Sequence, residues 1–269
     1  FKTPFVSAKG RLESRKLLIL KGISGSDTVW AECAAFEDGF YFGYGHAVCE
    51  AIFKSIIPKL IDLSFDHPRK AYRFIAELTQ NSCCQAALDT LYWQLYAKQQ
   101  QQHLALALGG KVQAQKIVVP LGLDTRLSDL SDYYDKGLDA FKIKVNAKTL
   151  KYWAQIKTRL PLQIILDANG SLGCESIADI KALKPRLFKG LEQPFLAEES
   201  SLYHLLKDSA VKIYLDESIR CLASAKQLIE KLPHCALSLK PARLGGISPC
   251  IDLLKAAPFS RIGGIFESE

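Results

Sequence analysis

The sequence predicts an α/β fold, a β/α barrel preceded by an α+β capping domain, and three observations carry that expectation. Five short segments in the second half open with an apolar run and close on a polar residue: Phe141-Lys142-Ile143-Lys144, Ile164-Ile165-Leu166-Asp167-Ala168-Asn169, Gly190-Leu191-Glu192-Gln193-Pro194, Ile213-Tyr214-Leu215-Asp216-Glu217-Ser218 and Leu237-Ser238-Leu239-Lys240-Pro241. Apolar runs of this length are what a parallel strand buried on both faces requires. The steps from Lys144 to Asp167, Glu192, Asp216 and Lys240 in turn are 23, 25, 24 and 24 residues. Each leaves room for one helix and two short loops, the repeat of a βαβ barrel. The first 112 residues lack that repeat and read as strands followed by helices.

Arg15 to Leu20 is strand-like, Gly22 to Asp27 supplies turn residues, and Thr28 to Cys33 is strand-like again, so the capping domain opens as a β-meander. Helical patterns follow over about Ala47 to Leu63 and about Pro68 to Leu78. A longer helix is marked by Ala87, Leu88, Leu91, Leu95 and Tyr96 at three- and four-residue steps, and Gly109-Gly110 punctuates the end of this segment. Ile117-Val118-Val119-Pro120 is the first expected barrel strand, the five segments are strands two to six, and Ser260 to Glu269 holds the seventh. An eighth strand is not in this chain, so the domains are expected at 1–112 for the cap and 113–269 for a C-terminally incomplete barrel. A barrel lacking its last strand leaves two open edges, and further chain is expected in the natural protein.

The composition narrows the function. Of 269 residues, 48% are hydrophobic and 23% charged, enough for a full-sized core. No apolar run approaches the ~20 residues of a membrane span, and no secretory signal is visible. The formal charge is +7, yet the lysines and arginines are dispersed rather than clustered among aromatic residues. That disfavours nucleic acid and suits a small anionic substrate. The eight cysteines show no CxxC pair and no metal-ligand spacing, so they are expected as reduced, mostly buried thiols of a cytoplasmic protein. Oligomeric state stays open.

Strand alternation puts Lys142 and Lys144 on one side of their strand and Asp167 and Asn169 on one side of theirs. Asp167, Glu192 and Asp216 are expected at one level on three consecutive strands. Three oxygen ligands without His or Cys suit Mg2+ or Mn2+ and not zinc. A cation on a substrate carboxylate makes the adjacent C–H more acidic, and a lysine disfavoured as ammonium by nearby positive charge becomes a base near neutral pH. Lys144 is the expected base, Lys142 its modulator, and Lys240 a second acid/base or a fixed cation. His46, His67, His103, His204 and His234 lie outside the five segments, and Glu217, Glu198 and Glu199 read as capping or surface carboxylates.

These residues together resemble the enolase superfamily, specifically its muconate-lactonizing subgroup: Lys-x-Lys on strand two, three acidic ligands on strands three to five and a lysine on strand six. Within it, the stretches from Trp30 to Phe36, Ala86 to Trp93, Lys240 to Gly246 and Gly263 to Ser268 are most similar to the o-succinylbenzoate synthase family. The resemblance implies a (β/α)7β-type modified TIM barrel. It also implies that Lys144 takes the α-proton of a succinyl-hydroxycyclohexadiene carboxylate, that Asp167, Glu192 and Asp216 hold Mg2+, and that water leaves to give o-succinylbenzoate in menaquinone biosynthesis. Lys240 would stabilise the anion. Substrate contacts are implied at Asn169, Gly264, Glu267 and Ser268, and near Pro4-Phe5 of the cap. The same metal and lysine pair serve N-acylamino acid racemases and dipeptide epimerases, which remain the alternative, with a muconate-type cycloisomerase third. No late Asp-x-Asp of the kind that holds a dipeptide ammonium is visible.

Overall fold

The computed structural model describes residues 5–7, 10–39, 42–114, 117–257 and 260–262. In chain order its elements are β1 (Phe5–Ser7), β2 (Gly10–Leu12), β3 (Leu18–Ser24), β4 (Asp27–Cys33), α1 (His46–Leu60), α2 (Pro68–Leu78), α3 (Ser82–Gln99), α4 (Leu104–Ala107), β5 (Val118–Leu121), α5 (Leu127–Tyr134), β6 (Ala140–Lys144), α6 (Ala147–Gln155), β7 (Gln163–Asp167), α7 (Ile177–Ala182), β8 (Phe188–Glu192), α8 (Ser200–His204), β9 (Lys212–Leu215), α9 (Leu222–Lys231), β10 (Ala236–Leu239), α10 (Pro241–Leu244), α11 (Ile247–Ala256) and β11 (Arg261–Ile262). They form two compact units, one built on Leu12–Ala114 with Lys240–Lys255, the other on Gln115–Leu239.

In the first unit β3 and β4 pair antiparallel from Leu18 opposite Cys33 to Ser24 opposite Asp27. The turn is shorter than the one expected from Gly22 to Asp27, because the ladder continues through Gly22 and Ile23. Gly25, at φ +58°, makes the reversal. Val29, Ala31 and Cys33 point inward and Trp30 and Glu32 outward, the period-2 pattern of a sheet with one wet face. The inward row packs on α3, whose Cys83, Cys84, Ala87, Leu88 and Leu91 are buried. Local chemistry starts the helices where they start. Pro68 opens α2 while His67 Nδ1 accepts the Arg69 N–H, and the side-chain Oδ1 of Asn81 accepts the Cys84 N–H at the head of α3.

The α10–α11 segment packs on α3 through a buried polar chain. Trp93 Nε1 donates to Ser248 Oγ at 2.9 Å, and Ser248 gives Oγ–H and N–H to the two Asp89 oxygens at 2.7 and 2.8 Å. Gly246, at φ +148°, must be glycine, since a Cβ there would strike the Asp89 carboxylate. That gives a packing reason for the second glycine of the Lys240 to Gly246 stretch.

The second unit is a parallel sheet in the order β11-β10-β9-β8-β7-β6-β5. The strands read as apolar because both faces are covered: Phe141, Ile143, Ile164, Leu166, Leu191, Leu215 and Leu239 are fully buried. Trp153 of α6 stands edge-on to Phe188 of β8, and the Asn146–Thr149 capping box sets where α6 begins. Pairing sets Lys144 beside Asp167 and Asp167 beside Glu192. Among the described residues the seventh strand is the short β11, beside β10. The remainder of Ser260 to Glu269, with Gly264, Glu267 and Ser268, lies outside them, as does Pro4.

Burial raises the Asp89 carboxyl to about 6 against the pull of its bonds to Ser248. An acid raised on folding binds more protons folded than unfolded, so its contribution is most favourable below pH ~4 and declines as pH rises to about 6. Urea unfolding across that range should show wild type losing up to ~3 kcal/mol relative to Asp89→Asn. A pH-independent difference would contradict this.

Candidate active site

Five charged groups collect where β6 to β9 end. Lys142 and Lys144, two apart on β6, project to the same side, and each meets a carboxylate of the next strands. Lys142 Nζ donates to Glu192 Oε1 at 2.7 Å and lies 3.2 Å from Asp167 Oδ2. Lys144 Nζ donates to the same Asp167 oxygen at 2.7 Å and to Asn169 Oδ1 at 2.6 Å. Asp167 and Asp216 are 1% exposed and Glu192 0%, so these charges are held away from bulk water. Burial pushes the Asp167 carboxyl up, but the Lys142 and Lys144 ammoniums outweigh it and hold that carboxyl below the usual range.

Asp216 is placed differently from the expected common level. Glu192 pairs with Tyr214, so Asp216 stands two residues farther along and one residue beyond β9. Parallel strands of a barrel are staggered, and equal spacing in sequence does not put residues at equal height. Gln193 fixes the position instead. Its Oε1 accepts the N–H groups of Asp216 and Ser218 at 2.8 and 3.1 Å. Its Nε2, with two hydrogens to give, lies 2.8, 2.9 and 2.7 Å from Phe195 O, Tyr203 Oη and Ser218 Oγ. The side chain is fully buried on a left-handed backbone, φ 40°. Sequence reasoning gave Gln193 no role; its one signal was a polar residue directly after a buried strand.

Glu217 corrects an expectation as well. It is neither a cap nor a surface residue: its Oε1 accepts Asn169 Nδ2 at 2.9 Å, and its Oε2 is buried with no hydrogen-bond partner among the described residues. Asn169, at φ 47°, thus links Lys144 to Glu217. Glu198 and Glu199 behave as expected, the first an exposed partner of Arg220 and the second accepting the Leu196 N–H. Lys240 directly follows β10 and begins the segment that groups with the first unit.

The donor set fits a hard divalent cation. Asp167, Glu192 and Asp216 are buried carboxylates with no imidazole or thiol among them, the oxygen donors that Mg2+ or Mn2+ takes.

A family described as enolase C-terminal domain-like matches residues 126–263. This chain belongs to the enolase superfamily. An o-succinylbenzoate synthase of Bacillus subtilis (strain 168) is 31% identical over 260 residues, 94% of this chain and 70% of that protein. An N-succinylamino acid racemase of Thermus thermophilus is 26% identical over 198 residues, 71% of this chain and 53% of that protein. The structure of a dipeptide epimerase from Cytophaga hutchinsonii, complexed with Mg and a dipeptide, superimposes with TM-score 0.79 at 19% identity over 98% of this chain and 76% of that one. It shares the TIM-barrel-like fold. The family match together with the synthase relative indicates a metal-dependent lyase, and no helix among the described residues is long and apolar enough to cross a membrane.

Gln193→Ala would orphan the Asp216 and Ser218 N–H groups and open a cavity. It should lower unfolding free energy by about 3 kcal/mol or more in urea titrations. A loss under ~1 kcal/mol would contradict its role as the fixed point of the Asp216 loop.

Proposed function

We propose that this chain is an o-succinylbenzoate synthase, abstracting the α-proton of a succinyl-hydroxycyclohexadiene carboxylate and expelling water with syn geometry to give o-succinylbenzoate for menaquinone biosynthesis. The observation that carries the reading is the pairing of Lys144 with Asp167 and Asn169 beside the second lysine–carboxylate pair of Lys142 and Glu192. The similarity to the Bacillus subtilis synthase over nearly the whole chain supports it.

Asp167, Glu192 and Asp216 would hold Mg2+, with Mn2+ a substitute, and that ion would polarise the substrate carboxylate so that the adjacent C–H becomes acidic. The Lys144 ammonium now shares its charge with Asp167. Lys144, positioned by Asp167 and Asn169, is the group that would take the α-proton, with Lys142 beside it on the same strand. Lys240 opposes the developing anion from the end of β10. Asn169 orients Lys144, and the unpaired Glu217 Oε2 offers an acceptor to a donor hydroxyl. Loss of water completes an aromatic ring, which supplies much of the driving force. Substrate contacts at Gly264, Glu267, Ser268 and the Pro4-Phe5 stretch, the division into a cap at 1–112 and a barrel at 113–269, and a cytoplasmic location belong to the same reading.

Racemisation of N-acylamino acids is the second reading, supported by the similarity to the Thermus enzyme. It uses Lys144 and Lys240 as acid and base on opposite faces.

With Mg2+ present, the full-length protein should consume the cyclohexadiene substrate, followed by loss of diene absorbance. Lys144→Ala should be slower by at least ~10³-fold with unchanged folding. No turnover by folded, metal-loaded protein, together with deuterium exchange into N-succinylamino acids, would overturn the synthase in favour of the racemase.

A further inference from the structure

Three thiols meet inside the first unit, where none of the metal-ligand carboxylates lies. Cys33 ends β4, Cys49 lies at the start of α1 and Cys84 at the start of α3. All three are 0% exposed, and their Sγ atoms lie within 4.8 Å of one another. The absence of CxxC spacing conceals this, because the ligands come from a strand and two helices that only folding assembles. Thiols serving merely as small apolar residues have no reason to face one another; here each of the three elements turns its sulfur to the same point.

Helices α1, 15 residues, and α3, 18 residues, both begin at the cluster, so a metal-bound thiolate there would meet their N-terminal partial positive charge. Asn81 Nδ2 approaches Cys49 Sγ at 3.9 Å as a donor to sulfur. The two carbonyls that follow Cys33 hold polar side chains nearby: Arg15 Nη2 donates to Ala34 O at 3.1 Å, and His46 Nε2 lies 2.9 Å from Ala35 O. Arg15 Nε is a buried donor with no hydrogen-bond partner among the described residues.

We propose that Cys33, Cys49 and Cys84 form a structural site for one soft d10 dication of the zinc class, distinct from the hard-ion site on the barrel. Three sulfurs reject Mg2+ and select Zn2+ or its analogue Cd2+. Binding displaces three thiol protons to solvent and oxidises nothing. Three thiolates with a dication leave one net negative charge, whereas a monocation would leave two, so burial favours the dication. Because the sulfurs are fully buried, the ion enters as the chain folds and ties β4 to α1 and α3.

The full chain, carrying Cys174→Ser and Cys221→Ser to remove its two exposed thiols, would be unfolded under a non-thiol reductant. It would then be refolded with Cd2+ in excess Mg2+, which keeps the carboxylates occupied. One cadmium per chain should survive desalting, with thiolate-to-cadmium ultraviolet absorption, a sulfur-ligand cadmium NMR shift and a raised Tm, and Cys84→Ser should lose the bound ion. No retained cadmium, a shift typical of oxygen ligands alone, or full retention in Cys84→Ser would overturn the site. Should Cys84→Ser fail to fold, the NMR shift of the Cys84 protein decides.

Discussion

The Lys142 ammonium, lodged between Asp167 and Glu192, is the contact on which the active-site end of the sheet depends. Glu192 is fully buried and Asp167 nearly so, and each charge left alone would cost several kcal/mol. Lys142 offsets both across three strands. Its reach works only if β6, β7 and β8 keep the register that aligns Lys144 with Asp167 and Asp167 with Glu192. A one-residue slip would point each of these side chains to the opposite face. The ion pairs therefore contribute more to register than to net stability, since a buried pair roughly breaks even against apolar packing.

Lys142 and Lys144 hold the Asp167 carboxyl below its usual range, so it stays ionised although it is buried. Gln193 adds the geometric half, holding the Asp216 backbone by a side chain that itself has no freedom to move. Charge on β6 and hydrogen bonding after β8 thus do separate jobs.

Much of this was legible in the sequence, for physical reasons. A buried parallel strand has to be apolar up to its end, so Lys142, Lys144, Asp167, Glu192 and Asp216 stood out as exceptions to a strong pattern, and the 23- to 25-residue steps gave the topology. Barrel stagger was not legible, so Asp216 was expected level with Glu192. Neither was the role of Gln193 or Glu217, because a left-handed backbone and a long-range hydrogen bond leave no periodic trace. The thiol cluster was hidden for a related reason: Cys33, Cys49 and Cys84 are neighbours only after β4, α1 and α3 pack. Gly246 stood out only through the family resemblance, and its place against the Asp89 carboxylate supplies a packing reason for it.

Calorimetric titration of Mg2+ into the full-length protein, wild type beside Asp216→Asn, distinguishes a metal site from a packing arrangement. Wild type should bind one Mg2+ per chain and the variant at least ~10-fold more weakly, since one of three anionic ligands is lost. Equal affinity in the two proteins, or no binding by folded wild type, would show that the buried carboxylates at the ends of β7, β8 and β9 serve packing and not a metal.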